Sequence, residues 1–250
     1  MLDGKINNIL SGSKTPLAGA TGKNTLPKKV IIYGSETLSK MLFYDAIGNN
    51  NFIIAAFTVD NDYLQGHELL GLPLVSFQEI HDLFPPDEYD MLALFNGYSR
   101  MRDREKMYLK AKSTGYKLRN YISVRADIAP EIIMGDNNVI MGTTHIGFGG
   151  TMGNNNLIRQ NVYLGHEFKL GNNNIITAGC NIGGHSEIEN NCYIGLGVTV
   201  INHIKIEDES LIGAGSVVIR DTEPYSKNVG NPSHIIGYHQ DEGVRMTVRE

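Results

Sequence analysis

From Ile122 to Val218 every sixth residue is aliphatic, seventeen positions in succession without a slip. With roughly a third of a chain made of such residues, chance supplies that run with a probability on the order of 10⁻⁸. A period of six suits neither a 3.6-residue helix nor a lone alternating strand, but it fits a short strand followed by a tight corner, the unit of a β-solenoid. Gly follows eight of the seventeen aliphatic positions. A second period of 18 overlies the first: GDNNVI at 135–140, GNNNLI at 153–158, GNNNII at 171–176, ENNCYI at 189–194 and EDESLI at 207–212. Three hexads therefore make one turn of a triangular coil. Asn137, Asn155, Asn173 and Asn191 then stack at one corner, where Asn tolerates the positive φ that most residues avoid. Residues 122 to about 220 give between five and six coils, a prism roughly 25 to 30 Å tall.

A triangular interior wants small branched side chains, and the composition agrees: there is no Trp and aromatics make up 8% of the chain. The net charge of −5 and the lack of any Lys/Arg run argue against a nucleic-acid partner. No stretch of 18 apolar residues occurs and the N-terminal residues lack an apolar signal region, so a cytoplasmic protein with no membrane partner is expected. Cys180 and Cys192, 12 apart, match neither a zinc knuckle nor a disulfide framework and are expected to be small buried residues.

Four segments follow along the chain: an extension at 1–28 rich in Gly, Ser, Thr, Asn and Lys and expected to be mobile, an α/β domain at 29–120, the coils at 121–222, and a C-terminal segment at 223–250. In the α/β part, KVIIY (29–33), FIIAAFTVD (52–60) and YDMLALFN (89–96) read as strands. SETLSKMLFYDAI (35–47, with Ser35 as N-cap), SFQEIHDLF (76–84) and MRDREKMYLKAKSTG (101–115) read as helices. Alternating strands and helices imply a small parallel sheet.

The hexads, GAGSVV at 213–218 and the closing GNPS at 230–233 resemble the hexapeptide-repeat acyltransferases. The resemblance implies a left-handed parallel β-helix, against the usual right-handed crossover rule. An α/β domain followed by such a helix is similar, over about 200 residues, to the bacterial sugar acetyltransferases of the bacillosamine and sialic-acid pathways. That likeness implies N-acetylation of a nucleotide-linked amino sugar for surface glycan synthesis, with acetyl-CoA as co-substrate, no metal, and a homotrimer. It also implies that the α/β domain holds the nucleotide. The family's first turn is Gly-rich; here it is GSETLS at 34–39, so Gly34 and Ser35 stand at the matching place with a single Gly. In VDND at 59–62, Asp60 and Asn61 match the acidic turn that meets the base or ribose, with a solvated turn as the alternative.

Acyl transfer from a thioester to an amine needs a base, a group that orients it, and a donor for the tetrahedral oxyanion. LGHEFKLG at 164–171 matches the family's His-acid pair, giving His166 as base and Glu167 as its partner. Gly184 lies one coil beyond His166, at the family's oxyanion position. Leu196, Gly213 and Ala214 fall where the family binds the pantetheine of acetyl-CoA, mainly through main chain between two subunits. His145, His185 and His203 compete for attention; His185 and His203 share a column with Glu167 and could bridge subunits, position substrate or bind a metal. A carbonic-anhydrase-like metal site wants two histidines separated by four residues and joined by a third from a neighbouring strand, and no such pair occurs within the coils at 121–222. The remaining alternatives are O-acetylation of a sialic-acid-like sugar and a non-catalytic solenoid.

Overall fold

The structure, a computed structural model, describes residues 29–95, 100–239 and 242–245. The extension expected at 1–28 lies outside the described residues. The α/β part is a five-stranded sheet of β1 (Lys29–Tyr33), β2 (Ile54–Val59), β3 (Glu68–Leu69), β4 (Leu72–Ser76) and β5 (Tyr89–Ala93), in the order β3-β4-β2-β1-β5. All pairings are parallel except β3 with β4. Successive side chains point to opposite faces. Val30 and Ile32 join one buried cluster and Ile31 and Tyr33 the other.

Three sequence expectations need correction here. The helix after β1, α1 (Thr37–Ala46), begins two residues beyond Ser35, because the chain is still extended at Glu36 and no side chain caps it. Residues 76–84 form a 3-10 turn at Phe77–Glu79 and one helical turn, α2 (Ile80–Leu83), in place of a full helix. The strand β4 was not expected. Its Pro73 breaks the strand signal in sequence, and it is accommodated because it faces only the two-residue edge strand β3.

The coils are seventeen two-residue strands spaced six residues apart, from β6 (Tyr121–Ile122) to β22 (Val217–Val218), and the second residue of each is the hexad aliphatic. Each as far as the strand at Thr199–Val200 pairs in parallel with the strand three places on, 18 residues away, building three sheets. Twenty buried residues, chiefly the hexad aliphatics, fill the triangle. Each such burial contributes about 1.5–3 kcal/mol. Cys180 and Cys192 are free and buried inside, as expected, and burial pushes both thiols up.

From Glu131 to Gly215 every sixth residue, at the corner, is left-handed. Asn137, Asn155, Asn173 and Asn191 have φ between 57° and 61°. They are also hydrogen-bonded in file: Asn137 Nδ2 donates to Asn155 Oδ1 and Asn155 Nδ2 to Asn173 Oδ1, both at 2.8 Å. Parallel ladders flank this file, as where Asn172 Oδ1 accepts from Asn154 N and Asn156 Oδ1 from Asn174 N. Each bond contributes about 1 kcal/mol net and satisfies backbone that a corner would otherwise orphan.

One prism face is apolar on its outside as well. Val139, Leu157 and Ile175, the first residues of their strands, are buried in the same cluster as Val30, Ile32, Leu42 and Leu92 of the α/β part. The third helix, α3 (Met101–Lys112), buries Met101, Arg104, Tyr108 and Ala111, a three-to-four-residue spacing that gives it one inward stripe. It lies along the Asn corner. Arg102 pairs with Glu209 at 2.8 Å, Arg104 donates to Asn155 O, Tyr108 donates to Asp136 Oδ1 at 2.6 Å, and Lys112 pairs with Asp136 at 2.9 Å. The first coil also grips the sheet, since Asn137 exchanges hydrogen bonds of 2.8 Å with both backbone groups of Ala93. After the last coil, β23 (Ser226–Val229) extends one sheet and pairs antiparallel with β24 (His234–Tyr238).

Candidate active site

His166 and Glu167 sit on the corner between β13 (Tyr163–Leu164) and β14 (Lys169–Leu170). Glu167 is the left-handed corner residue, with φ 53°, and His185 and His203 occupy the same place one and two coils on, with φ 56° and 62°. The turn therefore pushes these side chains outward, side by side along the prism edge. His166 Nδ1 lies 3.3 Å from Glu167 Oε2, and His185 Nε2 lies 3.4 Å from the same oxygen. His185 stacks on His203 with ring centroids 4.7 Å apart, and His166 meets His185 edge-on at 4.8 Å. All three side chains of the His166–Glu167–His185 group are 40–50% exposed.

With Nδ1 turned to Glu167, the other nitrogen of His166 points along the prism at Gly184. A Cβ on Gly184 would stand 2.7 Å from His166 Nε2. Glycine there makes room for the ring. On the opposite side Phe148 stacks on the imidazole, with centroids 5.4 Å apart and planes 13° apart. Phe148, His166, Gly184 and Asn202 thus form one file at 18-residue intervals. The expected free N–H of Gly184 is not found: it donates to Asn202 Oδ1 at 3.0 Å. An oxyanion at that amide has to displace the Asn202 carboxamide. Phe148 and Asn202 were missed in sequence, although stepping 18 residues from His166 and Gly184 reaches both. His145 is elsewhere, paired with Asp127 at 2.8 Å and stacked on Tyr163.

Leu196, Gly213 and Ala214 lie at another corner, the one whose left-handed residues are Gly179, Gly197 and Gly215. Leu196 is 59% exposed. Its carbonyl accepts from Gly215 N at 2.8 Å, and Gly213 N donates to Asn228 O.

A cavity of about 500 Å³ opens at the carboxyl ends of β1, β2 and β5. The chain leaves β1 for β2 on one side and later crosses from β4 to β5 on the other, so the strand order reverses beside β1, which is where open α/β sheets bind ligands. Gly34, Ser35 and Asp60 line it, with Tyr33, Arg100 and Arg104 among the residues that sequence reasoning did not single out. Asn61 is not among the lining residues, and its Oδ1 accepts from Ser76 Oγ. Gly34 is demanded by packing, since its φ is 133° and a Cβ would stand 2.3 Å from Leu94 O. Asp60 Oδ2 accepts from Tyr33 OH at 2.9 Å and its Oδ1 pairs with Lys110. Burial, then the bond to Asp60, drives the Tyr33 hydroxyl far above its usual range, so it stays a donor. Arg104 is 3% exposed, and burial pushes its guanidinium down to about 9. It remains charged at neutral pH, with no carboxylate paired to it among the described residues.

No protein-family model and no curated protein matches the chain. Solved structures do. A variant of GDP-perosamine N-acetyltransferase from Caulobacter crescentus, in complex with CoA and GDP-perosamine, superposes with a TM-score of 0.75 at 21% identity, covering 84% of this chain and 97% of that one. The acetyltransferase domain of PglB from Neisseria gonorrhoeae gives 0.75 at 20% identity over 84% and 100%. WeeI from Acinetobacter baumannii gives 0.73 at 21% over 83% and 99%. The chain shares their fold. It is an α/β layer followed by a left-handed parallel β-helix; the hexads implied the solenoid and the family resemblance its hand. No described helix is long and apolar enough to cross a membrane.

Proposed function

We propose that the chain is an acetyl-CoA-dependent N-acetyltransferase acting on the amino group of a nucleotide-linked amino sugar. The observation that carries this reading is the His166–Glu167 pair, with His166 Nε2 held over Gly184 and free to accept a proton. The amine nitrogen attacks the thioester carbonyl as its proton passes to His166 Nε2. Glu167, at Nδ1, fixes the tautomer and stabilises the imidazolium. The C–S bond then breaks, and the CoA sulfur takes the proton back from His166. Asn202, bonded to the Gly184 amide, must yield to the oxyanion or assist it with its own side chain.

The cavity at the sheet's switch point suits the nucleotide. Arg104, charged and unpaired by any described carboxylate, supplies the countercharge for a diphosphate, and Asp60 offers acceptors to a base or ribose. Two of the solved structures with this fold support the assignment by what they hold: CoA and GDP-perosamine in one, acetyl-CoA in the other. On this reading the sugar is destined for surface glycan, the enzyme works in the cytoplasm where acetyl-CoA is made, and it needs no metal. The family resemblance makes it a homotrimer, in which exposed Leu196 with Gly213 and Ala214 would contribute one side of the pantetheine site and a neighbouring subunit the other. Sedimentation showing a monomer that turns over would refute that assembly.

The test is CoA release from acetyl-CoA, followed with a thiol reagent, using GDP-perosamine and other nucleotide amino sugars, free amino sugars, and nucleotide sugars bearing only hydroxyls. Release with nucleotide amino sugars alone is expected. Release with the hydroxyl set would move the reading to O-acetylation, and silence across the panel would abandon it.

A further inference from the structure

The carboxylate of Glu167 stands between two imidazoles, 3.3 Å from His166 Nδ1 and 3.4 Å from His185 Nε2, and the three ligand atoms all lie within 4.8 Å of one another. Zinc bound to nitrogen or carboxylate oxygen at about 2.0–2.1 Å has tetrahedral ligand-to-ligand edges of about 3.4 Å. Two of the three edges already have that length. The third closes by rotation of the His185 side chain, which is 40% exposed and meets the His166 and His203 rings. Two imidazoles and a carboxylate on an open edge form a three-ligand set with the fourth position facing solvent, a donor combination suited to zinc.

We propose that His166, Glu167 and His185 form an inhibitory Zn²⁺ site. The ion is a regulator that competes with turnover and takes no part in it. Binding through Nδ1 leaves the proton of the neutral His166 ring on Nε2, the nitrogen poised over Gly184. In that state His166 has no lone pair to accept a proton, and Glu167 is withdrawn from its orienting bond. The same side-chain corner therefore reads free zinc and switches the base off. The inhibitory consequence rests on the acetyltransferase reading; the binding of the ion does not.

Two measurements separate these layers. Titration of the metal-free protein with Zn²⁺ by calorimetry, and with Co²⁺ by its visible ligand-field absorption, should show a tetrahedral site at one ion per chain. His185→Gln should weaken it at least tenfold, whereas His203→Gln, outside the ligand set, should shift it less than threefold. In the CoA-release assay, Zn²⁺ should inhibit with the midpoint at which it binds, a chelator should restore the rate, and whatever rate His185→Gln retains should no longer respond at that concentration. Affinity unchanged in His185→Gln, or no binding by the wild-type chain at millimolar Zn²⁺, would overturn the site. Binding without inhibition of an active enzyme would overturn the inhibitory role, and with it the Nδ1 mode of ligation. If no acetyltransferase substrate is found, the calorimetric and Co²⁺ arms still decide whether the site exists.

Discussion

Replacing Gly184 with Ala tests the active-site geometry more sharply than removing the base itself. The added methyl would lie 2.7 Å from His166 Nε2, 2.9 Å from Cε1 and 3.0 Å from Cδ2. Ordinary contact begins near 3.4 Å, so the ring must retreat by about 0.7 Å, and a misplacement of about 1 Å costs on the order of 10²-fold in rate. That is about 2.7 kcal/mol of transition-state stabilisation. The obstacle is the far end of a 41% exposed side chain, not backbone, so folding should lose only about 1 kcal/mol, or about 2–4 °C in Tm. The assay is kcat from CoA release beside a thermal melt, for Gly184→Ala, His166→Ala and the double variant. Once the imidazole is gone the methyl has nothing to displace, so Gly184→Ala should cost almost nothing further in the His166→Ala background. Full kcat in Gly184→Ala, or losses that simply add in the double variant, would refute the placement of His166 as the base.

His166→Ala alone should lower kcat by roughly 10²- to 10⁴-fold with little change in melting, and Glu167→Gln should cost less, because Glu167 orients and polarises without exchanging the proton. Should His185→Ala abolish turnover while His166→Ala keeps most of it, the reaction centre belongs to the neighbouring file. Asp60→Asn should raise the KM for the nucleotide sugar and leave that for acetyl-CoA nearly unchanged; equal rises in steady-state kinetics would mean that loss of the Tyr33 and Lys110 bonds had disturbed the fold. Burial, with Lys227 nearby, pushes His239 down to about 4. The unfolded chain binds a proton at this residue at about 6.5 while the folded one does not, so its contribution to stability is complete above that pH and falls away between about 6.5 and 4. Melting curves of His239→Gln across that window should show a shallower acid decline than wild type.

The coils were legible because the interior of a triangular prism must be filled at every hexad, and an aliphatic at each of seventeen steps is a demand that no other fold makes. The αL corners were legible for a similar reason, since Asn recurs where positive φ recurs. The His166–Glu167 pair could be named, but its surroundings could not. Whether the Gly184 amide is free depends on where the Asn202 carboxamide turns, and hydrogen-bond direction leaves no trace in residue spacing. Gly34 shows the same limit: the resemblance puts it at the family's Gly-rich turn, but that Leu94 O fills the space a Cβ would need there is visible only in the structure. Arg104 was overlooked because an Arg in a charged helix reads as solvated, and only the docking of α3 against Asn155 reveals it as buried. The apolar outer face was written plainly at Val139, Leu157 and Ile175, yet the α/β residues that share its cluster, such as Val30, Ile32, Leu42 and Leu92, are visible only in three dimensions.

A stack of identical coils is held mostly by nearest-neighbour contacts and ordinarily frays from its ends. Here α3 reaches from Glu209 near one end of the prism to Asp136 near the other, with Asn155 gripped between them. The helix thus acts as a tie rod. An end coil cannot peel away without also pulling α3 from the sheet and exposing Met101, Tyr108 and Ala111. The cavity at the carboxyl ends of β1, β2 and β5 borrows its rigidity from the same part, because Arg100 and Arg104 in its wall ride on or beside that helix. Solenoid and cavity therefore melt as one cooperative unit, and a ligand seated in the cavity lends its binding free energy to coils it never touches.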